Sequence, residues 1–346
     1  MDHFDLSIVI PTRNRPANLK FALESVYANL SEIDFEVIIS SNGFSLEGDL
    51  EGIPSHLLGS VKVVRSDLRL SMGENWRFGF SFATGRWIHI LGDDDCVALR
   101  SPHKLKELLK RDDIDGLVFR TGKFNWKIDS EGNYYQDSLQ EPEESELISQ
   151  GEETVPLPKN WESLQPRSYP NATGRSMVRR GYLKNLDQKG VLFAAISPDW
   201  FTGAYFAFSN SRYLICDILW ANIGTHPESS IFQIYNPHSK VSLEEAKVQS
   251  FTIHSHLKSK TNTFPTTWLV RLDSILRARE LLGLGVSISD FKLVRDALET
   301  TPRYVHKVAI KLVSDSFTRT PIVLLNIIPS YMKSFWNKIN SLLKQT

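Results

Sequence analysis

The chain has 346 residues, 41% apolar and 23% charged, with 40 Lys plus Arg against 40 Asp plus Glu. That length allows one large α/β domain with an appendage, or two domains. The composition excludes disorder, collagen-like sequence and a coiled coil, and zero net charge removes the simplest case for a nucleic-acid polymer as partner. Cys96 and Cys216 are too few for a disulfide framework and point to a reducing interior. The opening MDHFDLSIVIPT carries acid before a short apolar run, so it reads as a first strand and not as a signal peptide. No stretch reaches the roughly 18 apolar residues of a spanning helix. A soluble, cytoplasmic protein is the expectation.

Residues 6–10 are a short apolar run ended by Pro11, as in a strand buried on both faces. Pro16 opens a helix in which Leu19, Ala22, Leu23, Val26 and Leu30 recur at helical spacing. Residues 35–39 form the next strand, broken by Ser41, Asn42 and Gly43, and residues 61–64 a third. Residues 75–83 read as a helix closed by Gly85. A fourth strand at 87–91 stops at Gly92 and three aspartates, a helix runs from Pro102 to about Lys110, and 116–119 returns as a strand. This alternation implies an α/β fold with a doubly wound, mainly parallel sheet and crossover helices, which binds ligands at the carboxyl ends of its strands. Residues 121–168 read as a long irregular insertion. A second ordered segment spans about 175–256, with a helix over 197–209, and residues 268–282, 288–298 and 305–313 have helical periodicity. Charge is uneven: six glutamates lie between Leu139 and Val155, and from Pro302 onward seven basic residues face one acidic residue.

The run Gly92-Asp93-Asp94-Asp95 carries the strongest chemical signal. If it stays extended, Asp93 and Asp95 project to one side. Two carboxylates at a strand's end suit Mg²⁺ or Mn²⁺, an ion held by few protein ligands and completed by substrate phosphates. The plainer reading is an acidic turn.

The surrounding motifs weigh toward the first reading. Ser7-Ile8-Val9-Ile10-Pro11-Thr12-Arg13-Asn14-Arg15-Pro16, Glu36-Val37-Ile38-Ile39-Ser40-Ser41-Asn42-Gly43, Gly73-Glu74-Asn75-Trp76 and Ala83-Thr84-Gly85-Arg86-Trp87-Ile88 resemble family 2 glycosyltransferases in order and spacing. The resemblance is strong over about residues 5–120 and weak over 175–235. It implies a GT-A fold, a nucleotide-diphosphate sugar donor, a divalent ion (Mn²⁺ or Mg²⁺) and inversion at the anomeric carbon.

It also implies roles. Pro11, Thr12 and Arg15 line the base pocket, and Asn75 belongs to the donor site. Ser41 and Asn42 stand where the family carries a uracil-binding aspartate, so UDP becomes a preference only. Asp93 faces the ribose and also serves as a metal ligand, Asp95 is the main metal ligand, and Asp94 lies between them. Asp199, in Ser197-Pro198-Asp199-Trp200, matches the family's late acidic residue and is the candidate base. The competing reading is a helix start, with Ser197 as cap and Asp199 complementing the dipole. Trp200 and Thr225 are candidate acceptor contacts, and His254 or His256 a third metal ligand.

The expected organisation is a GT-A domain over 1–260, with a donor half to about 120 and an acceptor half beyond it, then a helical region over 261–346. Within that region, residues 302–346 are a candidate peripheral membrane contact at the inner face of the cell membrane. The expected activity is sugar transfer to a glycan or lipid-linked acceptor in bacterial cell-surface polysaccharide synthesis. A sugar nucleotidyltransferase would need a glycine-rich first loop, which Pro11-Thr12-Arg13-Asn14 is not. A catalytically inactive sugar- or lipid-binding scaffold is the remaining alternative.

Overall fold

The structure, a computed structural model, describes residues 4–43, 45–130, 134–137, 169–195, 197–209, 211–225, 274–275 and 277–284. Four parallel strands, β1 (Leu6–Thr12), β2 (Phe35–Ser41), β3 (Val61–Arg65) and β4 (Trp87–Ile90), pair in the order β3-β2-β1-β4. Beyond β4 the sheet continues through β8 (Ser176–Arg179), β6 (Gly116–Ile128), β9 (Tyr213–Thr225) and β5 (Cys96–Val97). Of these, β8 and β5 run against their neighbours, while β6 and β9 are parallel to each other. The result is a mixed, mostly parallel sheet.

Alternation along each strand loads both faces. Ile8 and Ile10 enter one core with Val37, Ile39, helix α1 (Pro16–Asn29) and helix α5 (Pro102–Leu109). Val9 and Ile38 enter the other, with helix α4 (Met72–Ser81), α6 (Arg180–Gln188) and α7 (Pro198–Phe208). Helices on both faces explain why β1 and β2 read as continuous apolar runs. Two short helices, α2 (Leu46–Asp49) and α3 (Ser55–Leu58), lie between β2 and β3.

Motif residues at the amino-terminal edge are structural. The Glu36 carboxylate accepts from Ser7 Oγ, Thr84 N, Thr84 Oγ1 and Gly85 N, and a Cβ on Gly85 would lie 2.6 Å from Ser7 N. His89 is buried beneath the sheet's centre, with Nδ1 against the Ser176 carbonyl and Nε2 accepting from Trp220 Nε1. Burial lowers its pKa to about 4, so it folds neutral, satisfied by hydrogen bonds alone.

One expectation changes. The segment from Thr121 to Ile128 is not irregular: β6 runs on through it and pairs with β7 (Tyr134–Gln136). Buried Phe124 and Trp126 alternate with exposed Lys123, Asn125 and Lys127, the period of a strand with one face covered. Residues 274–275 and 277–281 are helical, as the periodicity predicts, and Ile275 and Ala278 are buried in the second core. This part of the C-terminal region therefore packs on the domain. Among the described residues no helix is long and apolar enough to cross a membrane.

Candidate active site

The chain leaves β4 and turns at once, with the Asp95 N–H donating to the Gly92 carbonyl at 3.0 Å. The segment is therefore a tight turn and does not stay extended, so Asp93 and Asp95 do not share a side by strand alternation. Asp93 points into the protein. Its Oδ2 accepts from Thr12 Oγ1 at 2.8 Å, and its Oδ1 forms an ion pair with Arg15 Nη2 at 2.7 Å. The same guanidinium reaches Asp94 Oδ2 at 3.3 Å. Asp95 Oδ1 accepts from the backbone N–H of Gly224, near the end of β9, at 2.8 Å.

The remaining oxygens of Asp94 and Asp95 converge. Asp94 Oδ1 and Asp95 Oδ2 each lie 2.8 Å from the point a Cβ would occupy on Gly92, so glycine there leaves a shared opening between two carboxylates. The turn is supported from beneath. Trp126 Nε1 donates to the Asp94 carbonyl at 2.8 Å, and a Cβ on Gly224 would stand 1.9 Å from that same oxygen. Trp126, Phe124 and Cys96 pack together as a small buried cluster with Phe21 against it. Burial pushes the Cys96 thiol up to about 11, and it behaves as a small core residue.

Charge in this corner is unbalanced, with three carboxylates meeting one guanidinium. Burial pushes Asp93 up to about 7 against the pull of Arg15, and Asp94 raises it further. Burial and then Asp94 push Asp95 well above the ordinary carboxylate range. Burial by itself lowers the Arg15 pKa, yet Asp93, Asp94 and Asp95 together hold it raised. A cation placed between Asp94 and Asp95 would relieve the repulsion. Among the described residues no three His, Cys, Asp or Glu side chains form a protein-only metal cage. The two-carboxylate opening over Gly92 fits a hard divalent ion that takes its other ligands from phosphate and water. Asp94 and Asp95 are the pair that could hold it, because their oxygens converge over Gly92, whereas the Asp93 carboxylate is turned toward Thr12 and Arg15.

The other donor-site candidates lie along the same edge. Pro11 and Thr12 close β1, and Arg15 turns toward the aspartates. Ser41 Oγ donates to Asp49 at 2.6 Å. The Asn42 amide exchanges two hydrogen bonds with the Leu70 backbone, at 2.9 and 3.1 Å. Asn75 does the same with Ser40, accepting from its hydroxyl at 2.8 Å and donating to its carbonyl at 3.2 Å. All three side chains thus tie elements together. Asp49 takes part in the site although sequence assigns it no role, and Trp126 and Gly224 support the aspartate turn.

The sequence model of glycosyl transferase family 2 matches residues 7–187, more than half of the chain. The chain belongs to this family. It is a glycosyltransferase, and the doubly wound sheet is its GT-A core. Comparison with curated proteins returns no match. Among solved structures, S. aureus TarS 1–349 in complex with UDP-GlcNAc aligns at 14% identity and a TM-score of 0.47, covering 88% of this chain and 83% of that one. A mannosyltransferase from Pyrobaculum calidifontis, in complex with GDP-Man and Mn²⁺, aligns at 11% identity and a TM-score of 0.43, covering 92% and 88%. These are similarities of chain trace, and the assignment rests on the sequence match.

In this glycosyltransferase Asp199 occupies the first turn of α7. Ser197 does not cap the helix through its side chain, as sequence alone suggests; its hydroxyl donates to Asp199 Oδ1 at 2.8 Å. Phe206, near the far end of α7, packs on Tyr213 at the start of β9. Trp200 is buried, and Thr225 is exposed beside Gly224. His254, His256 and the tail 302–346 lie outside the described residues.

Proposed function

We propose that this enzyme is an inverting, metal-dependent transferase that moves a sugar from a nucleotide-diphosphate donor, UDP preferred, to a hydroxyl of a glycan or lipid-linked acceptor. The observation that carries this reading is the opening over Gly92, where carboxylate oxygens of Asp94 and Asp95 converge at the ligand-binding edge of the sheet. A bound Mn²⁺ or Mg²⁺ would be held by these two residues and would neutralise charge on the departing diphosphate. Asp93 faces inward, and with Arg15 and Thr12 it fixes the turn on which the pair stands.

Asp199 takes the proton from the acceptor hydroxyl. The hydroxyl oxygen then attacks the anomeric carbon from the face opposite the diphosphate. A carbon–oxygen bond to the acceptor forms as the bond to the diphosphate oxygen breaks, and the nucleoside diphosphate leaves with the electron pair. Thr225, exposed beside Gly224, stands on the acceptor side. We assign residues 1–260 to this domain, and residues 302–346, basic and partly apolar, to peripheral contact with the inner face of a bacterial membrane, where cell-surface polysaccharide is built.

The test is nucleoside diphosphate release from a panel of UDP-, GDP- and dTDP-sugars, with Mn²⁺ and with chelator. Release with Mn²⁺ that chelator stops is expected. Release that is equal in chelator sinks the metal reading, and no release with any donor and glycan or polyprenyl acceptor sinks the donor reading.

A further inference from the structure

We infer that Asp49 is a positioning residue of the donor site, whose carboxylate locks the loops leaving β1 and β2 into the shape that receives the nucleotide base. The inference rests on the nucleotide-sugar reading above. Asp49 ends α2 and is fully buried. Its Oδ1 accepts from the backbone N–H of Asn14 at 2.5 Å, and its Oδ2 from Ser41 Oγ at 2.6 Å and the N–H of Gly43 at 2.9 Å. Asn14, in the left-handed region at φ 53°, belongs to the loop after β1. Ser41 ends β2, and Gly43 belongs to the turn after it. Thr12 and Ser41 pair across the two strands, so one carboxylate bridges adjacent loops at the carboxyl edge, where a parallel sheet takes its ligand.

Burying a carboxylate is costly unless donors replace its water, and an apolar side chain would fill the same space without that cost. What the charge adds is direction, since backbone N–H groups from two separate loops must both point at it. Ser41 and Asn42 occupy the positions from which a base would be read, and both side chains are engaged within the protein, Ser41 by Asp49 and Asn42 by Leu70. The base is therefore received by the backbone and shape of these loops, and the shape depends on Asp49. Gly43 supplies an independent sign of the same constraint. A Cβ there would stand 2.3 Å from Asp49 Oδ1, although the Gly43 backbone is not in the left-handed region and would itself accept alanine.

Asp49→Asn keeps the size and turns an N–H₂ group toward N–H donors. The readouts are UDP affinity by calorimetry with Mn²⁺, amide exchange at Asn14 and Gly43, and kinetics with the donor of the panel that wild type turns over. Asp49→Asn is expected to raise the UDP Kd and the donor KM by about tenfold or more, the scale of one lost charge-assisted hydrogen bond, with kcat within about threefold. Both amides should exchange faster. Gly43→Ala, which keeps Asp49 but displaces it, should reproduce the KM-selective loss, and it decides alone if Asp49→Asn does not fold. A purely structural role would lower kcat through the folded fraction and leave KM and Kd unchanged; that pattern overturns the inference. Wild-type protein that binds no nucleoside diphosphate overturns the donor reading and this inference with it, whereas normal binding by wild type and both variants overturns this inference alone.

Discussion

Two turns at the same sheet edge carry buried carboxylates and treat them in opposite ways. At the β2 turn, both oxygens of Asp49 meet donors of the protein itself. At the β4 turn, one guanidinium pairs with two of the three aspartates, and oxygens of Asp94 and Asp95 converge over Gly92. The contrast separates scaffold from site. A charge satisfied from within fixes geometry, while a charge left uncompensated marks where something outside the chain completes the structure.

The contrast breaks first at Asp95. Asp95→Ala should weaken Mn²⁺-dependent UDP binding by about 100-fold or more, which is about 2.7 kcal/mol. Stability should stay within about 1 kcal/mol of wild type, because removing one of several repelling carboxylates offsets the lost bond to Gly224. Calorimetry and urea unfolding on the same sample check both halves. Unchanged Mn²⁺-dependent affinity would return the ion to other ligands.

Asp199→Asn comes next in size. It should leave UDP affinity intact and lower kcat by about 100-fold or more, the scale of a lost general base. Turnover near wild type would move the base elsewhere and leave Asp199 as a helix-start residue held by Ser197. Arg15→Gln probes the inward side of the β4 turn. It strips Asp93 of its cationic partner while leaving it buried, so stability should fall by about 3 kcal/mol in urea unfolding at pH 8. An unchanged midpoint would mean that the pair contributes nothing net and that the turn is held by Thr12, Gly224 and Trp126.

These partners also mark what sequence could and could not reveal. Strands β1, β2 and β4 were legible because burial on both faces writes them as mostly apolar runs, and α1 because its apolar residues recur at helical spacing. The later strand β6 also left a period-2 signal in Phe124 and Trp126, masked by the lysines and asparagine between them. The two-residue β5 is too short to leave any pattern. Three consecutive aspartates announced a site, but their directions follow from partners far away in the chain: Arg15 is 79 residues from Asp94, and Gly224 is 129 from Asp95. Asp49 left no signal, because its spacing from Ser41 and Asn14 acquires meaning only once β1 and β2 are paired. Likewise the engagement of Ser41 and Asn42 by neighbours is invisible until Leu70 and Asp49 are placed.

The smallest expected effect bears on how rigid the open turn is. Trp126 holds the Asp94 carbonyl by a single hydrogen bond, while its ring packs edge-on against Phe21 at 5.2 Å and beside Phe124 at 5.5 Å. Trp126→Phe keeps most of the apolar contact and removes the donor, so stability should fall by about 1 kcal/mol, the ordinary net worth of one hydrogen bond. The consequence for binding should exceed its share of stability. The Asp94 oxygen that opens over Gly92 rides on the peptide that this bond fixes, so Mn²⁺-dependent UDP affinity should drop by about three- to tenfold, less than 1.4 kcal/mol. Metal-independent UDP binding should not change. If both affinities fall together, the cluster under the turn supports the whole edge; if neither falls, the Gly92–Asp95 turn and Gly224 hold the carboxylates without help from beneath.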